Sequence, residues 1–235
     1  MTSSREFRLV ADVRNFIAGD EGLTRLEAEV TARTDDDPAH DAAHFHRVAL
    51  WTVRIGGDAV DRRSAVAAAL LHDVVNVPKN SPLRAEASRL SSELAAELLP
   101  AAGFSGGAVS DIVDAIRTHS FSRGEAPRSP LGDALQDADR LEALGALGIF
   151  RCIATGARLG AKFFDASDPW AFRRPLDDAR FSIDHFFVKL LKLPATMRTA
   201  AGRSEAERRA GLLRATVRSL GDELGIPPPE SLDSP

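Results

Sequence analysis

Residues 65–79 read AVAAALLHDVVNVPK. A run of alanine, valine and leucine favours a helix, and its small side chains let neighbouring helices approach closely. The run ends in a polar pair, His72-Asp73, and Pro78 then stops the helical pattern. A helix is therefore expected to deliver an imidazole and a carboxylate together near its C-terminal end. Such a pair is half of a metal site, and two other stretches offer the remaining half. They are His44 in HDAAHFHRV (40–48) and the segment QDADRL (136–141).

On either side of this stretch apolar residues recur at helical spacing almost throughout, and no run joins β-branched residues to a period of two. The expected fold is all-α, a helical bundle with additional C-terminal helices packed on it. Ser3 or Ser4 can cap a first helix whose Phe7, Val10, Val13 and Phe16/Ile17 form one stripe. A second helix over about 41–55 places His44, Val48, Trp51/Thr52 and Ile55 on one face, so His44 points where the core residues point. Two further helices are expected within 81–100 and 105–120, and a long helical pattern begins near Leu131. It loses its order in TGARLGAKFFDASDPWAFRRP (155–175), which is basic and punctuated by Gly and Pro. That stretch reads as a lid-like loop over about 155–176, followed by C-terminal helices over about 177–224 and a frayed or extended tail, 225–235. No repeat or linker divides the chain, so a single domain over 1–235 is expected, its metal-site core at about 38–150.

The 235 residues are 44% hydrophobic and 27% charged, ordinary values for a globular protein, and the net charge is -4. That charge gives no general attraction for a nucleic acid polymer or an anionic membrane. The single cysteine, Cys152, rules out an intrachain disulfide. The N-terminus lacks a basic segment followed by an apolar one, and no uncharged stretch reaches the ~20 residues that span a bilayer. A cytoplasmic protein is the expectation.

A hard or borderline divalent ion accepts imidazole nitrogen and carboxylate oxygen together. His44, His72, Asp73 and one aspartate of QDADRL make four such ligands, which leaves open positions in a six-coordinate shell for a phosphate oxygen and a water. Asp137 and Asp139 are two apart and point about 200° away from each other on a helix, so one ion does not readily take both. Periodicity leaves the choice open, because each has small apolar residues on its own face.

The order of these motifs resembles the HD superfamily of metal-dependent phosphohydrolases, which carries a histidine, a distant His-Asp doublet and a distant aspartate. HDAAHFHRV, LLHDVVNVPKNSP (70–82), AIRTHSFS (115–122) and QDADRLEALGALGI (136–149) look like successive motifs of a bacterial single-domain subgroup resembling nucleotide pyrophosphohydrolases. HFFVKLLKL (185–193) and AERR (206–209) extend the similarity, so it spans about His40 to Arg209. The resemblance implies His44, His72, Asp73 and Asp139 as ligands of one divalent ion, with manganese, magnesium, iron, cobalt and nickel all compatible. Some branches of the superfamily carry a glutamate three residues after the doublet; here that position is Asn76, which cannot act as a base.

Among the supporting residues, Glu142, one turn after Asp139, and His119 are the candidates for proton transfer. Asn76, Lys79, Arg140 and Lys162 are the candidate substrate contacts, with Arg173 and Arg174 as further cations of the lid-like stretch. His40 is read as a capping or supporting residue, and His46 as exposed on the side away from His44. The resemblance implies a metal-dependent phosphohydrolase acting on a small phosphorylated compound, a nucleotide first, with nucleoside triphosphate pyrophosphohydrolysis as the favoured bond. The rival readings are a sensor module that binds metal and nucleotide without turnover and, behind it, a di-iron oxygenase of the same fold. A homodimer is compatible with the sequence.

Overall fold

The computed structural model describes residues 7–33, 42–75, 77, 86–120 and 125–233. Among them are ten α-helices and no strand, with one isolated bridge between Lys162 and Phe181. The fold is all-α, as the spacing of apolar residues requires. The chain forms two compact units, residues 1–139 and 140–235.

The first unit contains α1 (Val10–Ala18), α2 (Glu21–Thr31), α3 (Ala42–Gly56), α4 (Arg62–Leu71), α5 (Ala87–Leu98), α6 (Gly106–Thr118) and most of α7 (Pro130–Leu141). α4 is its axis and packs against α2, α3, α5 and α6. Every residue from Ala65 to Leu71 is buried, the mark of a helix enclosed on all sides. Asp61 starts it by accepting the Ser64 N–H and hydroxyl, both at 2.8 Å.

The sequence reading did not single out α2. Asp20 caps it, accepting the Leu23 N–H at 2.9 Å, and Leu23, Leu26 and Val30 bury its apolar stripe. Arg63 on α4 then grips the same carboxylate at 2.7 and 3.2 Å, and this pairing holds Asp20 below the usual carboxylate range. The proposed Ser3 or Ser4 cap lies outside the described residues.

The long pattern from Leu131 is two helices rather than one. α7 closes through Ala143 N–H to Arg140 O and Leu144 N–H to Leu141 O, each 3.1 Å. Gly145, left-handed at φ 71°, then opens α8 (Gly145–Arg158). With α9 (Ser182–Val188), a 3-10 segment (Leu190–Thr196) and α10 (Ala200–Leu224), α8 makes the second unit. α10 turns Ala206, Ala210, Leu213 and Val217 inward and packs on α8 and the 3-10 segment.

The loop expected from residue 155 begins after Arg158, and it is tied down. Asp168 accepts the N–H groups of Phe172 and Arg173 at 2.9 and 2.8 Å, and the buried Trp170 donates to Ile226 O at 2.8 Å. Arg174 forms a forked pair with the fully buried Asp184 at 2.5 and 3.0 Å, the geometry in which a guanidinium best offsets a buried carboxylate. The tail folds as well, with a 3-10 turn at Glu230–Asp233 and Leu232 buried.

Gly145→Ala forces an L side chain into the left-handed region and is expected to destabilise the protein by about 1–2 kcal/mol. Urea unfolding checks this, and an unchanged midpoint would count against the glycine as the cause of the helix break.

Candidate metal centre

Four helices of the first unit bring five donor side chains together. His44 comes from the first turn of α3, and His72 caps the C-terminal end of α4 with Asp73 next to it. His119 caps the end of α6, and Asp139 lies in the last turn of α7. Three helix C-termini therefore converge here, and each carries a partial negative charge that favours a cation.

Backbone carbonyls set the ring orientations. His72 Nδ1 lies 2.8 Å from Ala69 O, and His119 Nδ1 lies 2.6 Å from Ile116 O. Each ring thus commits its Nδ1 proton to its own helix and turns an Nε2 lone pair into the cluster. His44 Nε2 sits 3.3 Å from His72 Nε2. Asp139 Oδ1 lies 3.8 Å from His72 Nε2 and 3.9 Å from His44 Nε2. Asp73 Oδ2 lies 3.8 Å from His72 Nε2, and Asp73 Oδ1 lies 3.5 Å from His119 Nε2. Donors about 2.1 Å from one ion stand roughly 3–4 Å apart, so these separations suit a shared cation. They group as His44-His72-Asp139 and His72-Asp73-His119, with the donor atoms of each trio within 4.8 Å of one another.

The three imidazoles form a buried floor, while the Asp73 and Asp139 side chains stay 23% and 32% exposed. The carboxylates therefore mark the side from which a ligand can approach. Electrostatics make the same point. Burial pulls the His72 imidazole down, but the Asp73 and Asp139 carboxylates outweigh it and raise its pKa to about 9. Burial pushes both carboxyl groups up, and the surrounding imidazoles overcome it: His72 and His119 hold Asp73 and Asp139 well below the usual carboxylate range, with His44 adding to the effect on Asp73. The cluster calls for positive charge, and its nitrogen and oxygen donors fit a divalent ion.

Asp137 is fully buried and belongs to neither trio. Glu142 is also buried and lies 3.8 Å from Arg151 in the second unit. Arg140 donates to Thr196 O at 2.5 Å, and Lys162 is exposed, its backbone paired with Arg180 O and Ser182 N. Arg173 is exposed and donates to Ser167 O at 3.0 Å, while Arg174 is taken up by Asp184. Asn76, Lys79 and His40 lie outside the described residues. His46 is buried rather than exposed, because α1 and α2 cover that face of α3: it lies 2.5 Å from Glu27 Oε1 and accepts from Arg14 Nε at 3.4 Å. One supporting residue escaped the sequence reading. The buried Ser91 hydroxyl on α5 accepts the Val75 N–H at 3.2 Å, just past the doublet. Nothing local in the sequence marks a contact across 16 positions.

An all-helical unit with a histidine, a His-Asp doublet and a distant aspartate around one centre is the arrangement of the HD domain, and the chain belongs to that family. The HD domain pattern matches residues 41–144. The chain is 32% identical over 197 residues to the uncharacterized protein YpgQ of Bacillus subtilis (strain 168), covering 81% of this chain and 87% of that protein. The crystal structure of Bacillus subtilis YpgQ in complex with ADP is similar at a TM-score of 0.65 and 28% identity, over 85% of this chain and 96% of that one. An HD-superfamily hydrolase from Bacillus thuringiensis is similar at a TM-score of 0.64 and 28% identity, over 91% and 98% of the two chains. The family and the Bacillus thuringiensis structure support a hydrolase. No described helix is long and apolar enough to cross a membrane.

Because His72 must lose its proton to ligate, affinity for a divalent ion is expected to rise with pH up to about 9. The same shift makes the metal-free protein pH-sensitive. The stabilisation from charged His72 is complete below its ordinary value of 6.5 and is lost as pH rises through about 9. Metal titrations and melting curves across this window test both effects, and a flat affinity profile would contradict the assignment of His72.

Proposed function

We propose that the protein is a metal-dependent phosphohydrolase whose substrate is a nucleotide, cleaved at a phosphoanhydride bond. The observation that carries this reading is the five-donor cluster, its imidazoles buried and its two carboxylates open to solvent. The ADP bound by YpgQ supports a nucleotide as the ligand class.

In this reading His44, His72, Asp73 and Asp139 hold one divalent ion. Such an ion, when bound, polarises a phosphoryl oxygen and lowers the pKa of a water, the two effects that hydrolysis of a phosphoanhydride needs. Asp73 and Asp139 orient that water from the open side. His119 is the proton carrier: its Nδ1 proton is committed to Ile116 O, and its Nε2 stands 3.5 Å from Asp73 Oδ1. As water oxygen attacks phosphorus and the bridging P–O bond breaks, the water proton passes to His119 Nε2 and then to the leaving phosphate.

Manganese-loaded protein is to be incubated with nucleoside mono-, di- and triphosphates and the products separated. Release of phosphate or pyrophosphate is expected, whereas tight binding of every nucleotide with no product would replace the hydrolase by a sensor. His72→Ala and Asp73→Ala are each expected to abolish metal uptake and turnover together. His119→Ala should keep its metal and lose about 10²–10⁴-fold in kcat; full activity in that variant would remove His119 from the chemistry.

A further inference from the structure

α6 and α7 come near each other at three levels. At the first, Gly132 faces Ala115: a Cβ on Gly132 would come within 3.6 Å of Ala115 Cα and within 2.8 Å of Pro127 Cβ. At the third stand His119 and Asp139, which belong to different donor trios. Between them the buried Gln136 donates from Nε2 to Thr118 O at 3.0 Å.

That carbonyl is the last of α6, one of the terminal acceptors a helix cannot satisfy from within. Other side chains serve its neighbours, with Thr118 Oγ1 donating to Asp114 O and His119 Nδ1 to Ile116 O. The Gln136 bond differs because it crosses between helices. It starts one turn before Asp139 and ends on the residue before His119, so one buried amide fixes the helix bearing Asp139 against the turn bearing His119. A buried carbonyl that loses its donor is costly, which gives the bond a unique geometry to enforce.

We infer that Gln136 is a positioning residue of the centre, anchoring the helix that bears Asp139 to the end of α6 and so setting the affinity of the site for a divalent ion. This inference rests on the metal reading proposed above. Gln136→Met keeps length and volume but removes the donor, and Gln136→Glu keeps the shape and sets an acceptor against the carbonyl. Thr52→Val serves as the control, since it deletes a buried hydroxyl bonded only to Val48 O of its own helix.

Cobalt(II) is the probe, with affinity read by calorimetry and ligand geometry by the visible d–d bands. Both Gln136 variants are expected to bind cobalt about 10–100-fold more weakly, the usual effect of losing a group that orients ligands, with altered bands. Thr52→Val should melt earlier with affinity and bands unchanged. Wild-type affinity and bands in both Gln136 variants would overturn the inference alone. A wild-type protein that takes up no cobalt would overturn the metal reading and this inference with it. A loss of affinity in Thr52→Val as large as in the Gln136 variants would reduce Gln136 to general stability and overturn its positioning role.

Discussion

His72 is fully buried, yet Asp73 and Asp139 each place a carboxylate oxygen 3.8 Å from its Nε2. Carboxylates gathered this closely repel one another and lose hydration, and only positive charge between them makes the arrangement favourable. A proton on His72 supplies that charge, and under the proposed function a divalent ion takes its place. The remaining architecture follows from this need. Three helices end at the cluster, so their C-terminal dipoles add negative potential at the donor atoms. The imidazoles stay inside, where their low hydration cost is tolerated, and the carboxylates stay at the rim.

The short separations in the cluster are a property of the packing around α4. Its Ala65, Ala67, Ala68 and Ala69 present little bulk to the helices that enclose it, and at its end His44 Nε2 of α3 stands 3.3 Å from His72 Nε2. A larger residue at these positions would have to push neighbouring helices outward, since interiors packed at crystal density have no slack. Composition at the helix axis and donor spacing at its end are therefore one constraint seen at two places.

This explains which parts of the protein were legible in the sequence. The doublet stands at the end of an unmistakable buried helix, and His44 shares a face with Val48, so periodicity alone aimed both inward. The choice between Asp137 and Asp139 was not available to periodicity, because both face small apolar neighbours; the family resemblance pointed to Asp139, and the folded chain brings Asp139 to the cluster while burying Asp137 elsewhere. His46 was misread as exposed because the residues that cover it, Arg14 and Glu27, come from helices distant in sequence. α2 was overlooked although Asp20 is a good cap, since Gly22 and its charged face dilute the pattern. The bonds from Ser91 to Val75 and from Gln136 to Thr118 link positions 16 and 18 apart and leave no local trace.

His72 and His119 show how one local device can serve two ends. Each occupies the residue that closes its helix, and each returns its Nδ1 proton to the carbonyl three residues earlier. The bond satisfies a terminal carbonyl that the helix leaves unpaired and, in the same stroke, fixes the tautomer with Nε2 free. A histidine elsewhere on a helix would need a separate partner for its second nitrogen. LLHD and RTHS are thus the same physical solution written twice, and what separates the two rings is their company. His72 stands between two carboxylates and His44 and belongs to both donor trios, whereas His119 meets Asp73 Oδ1 and belongs to one.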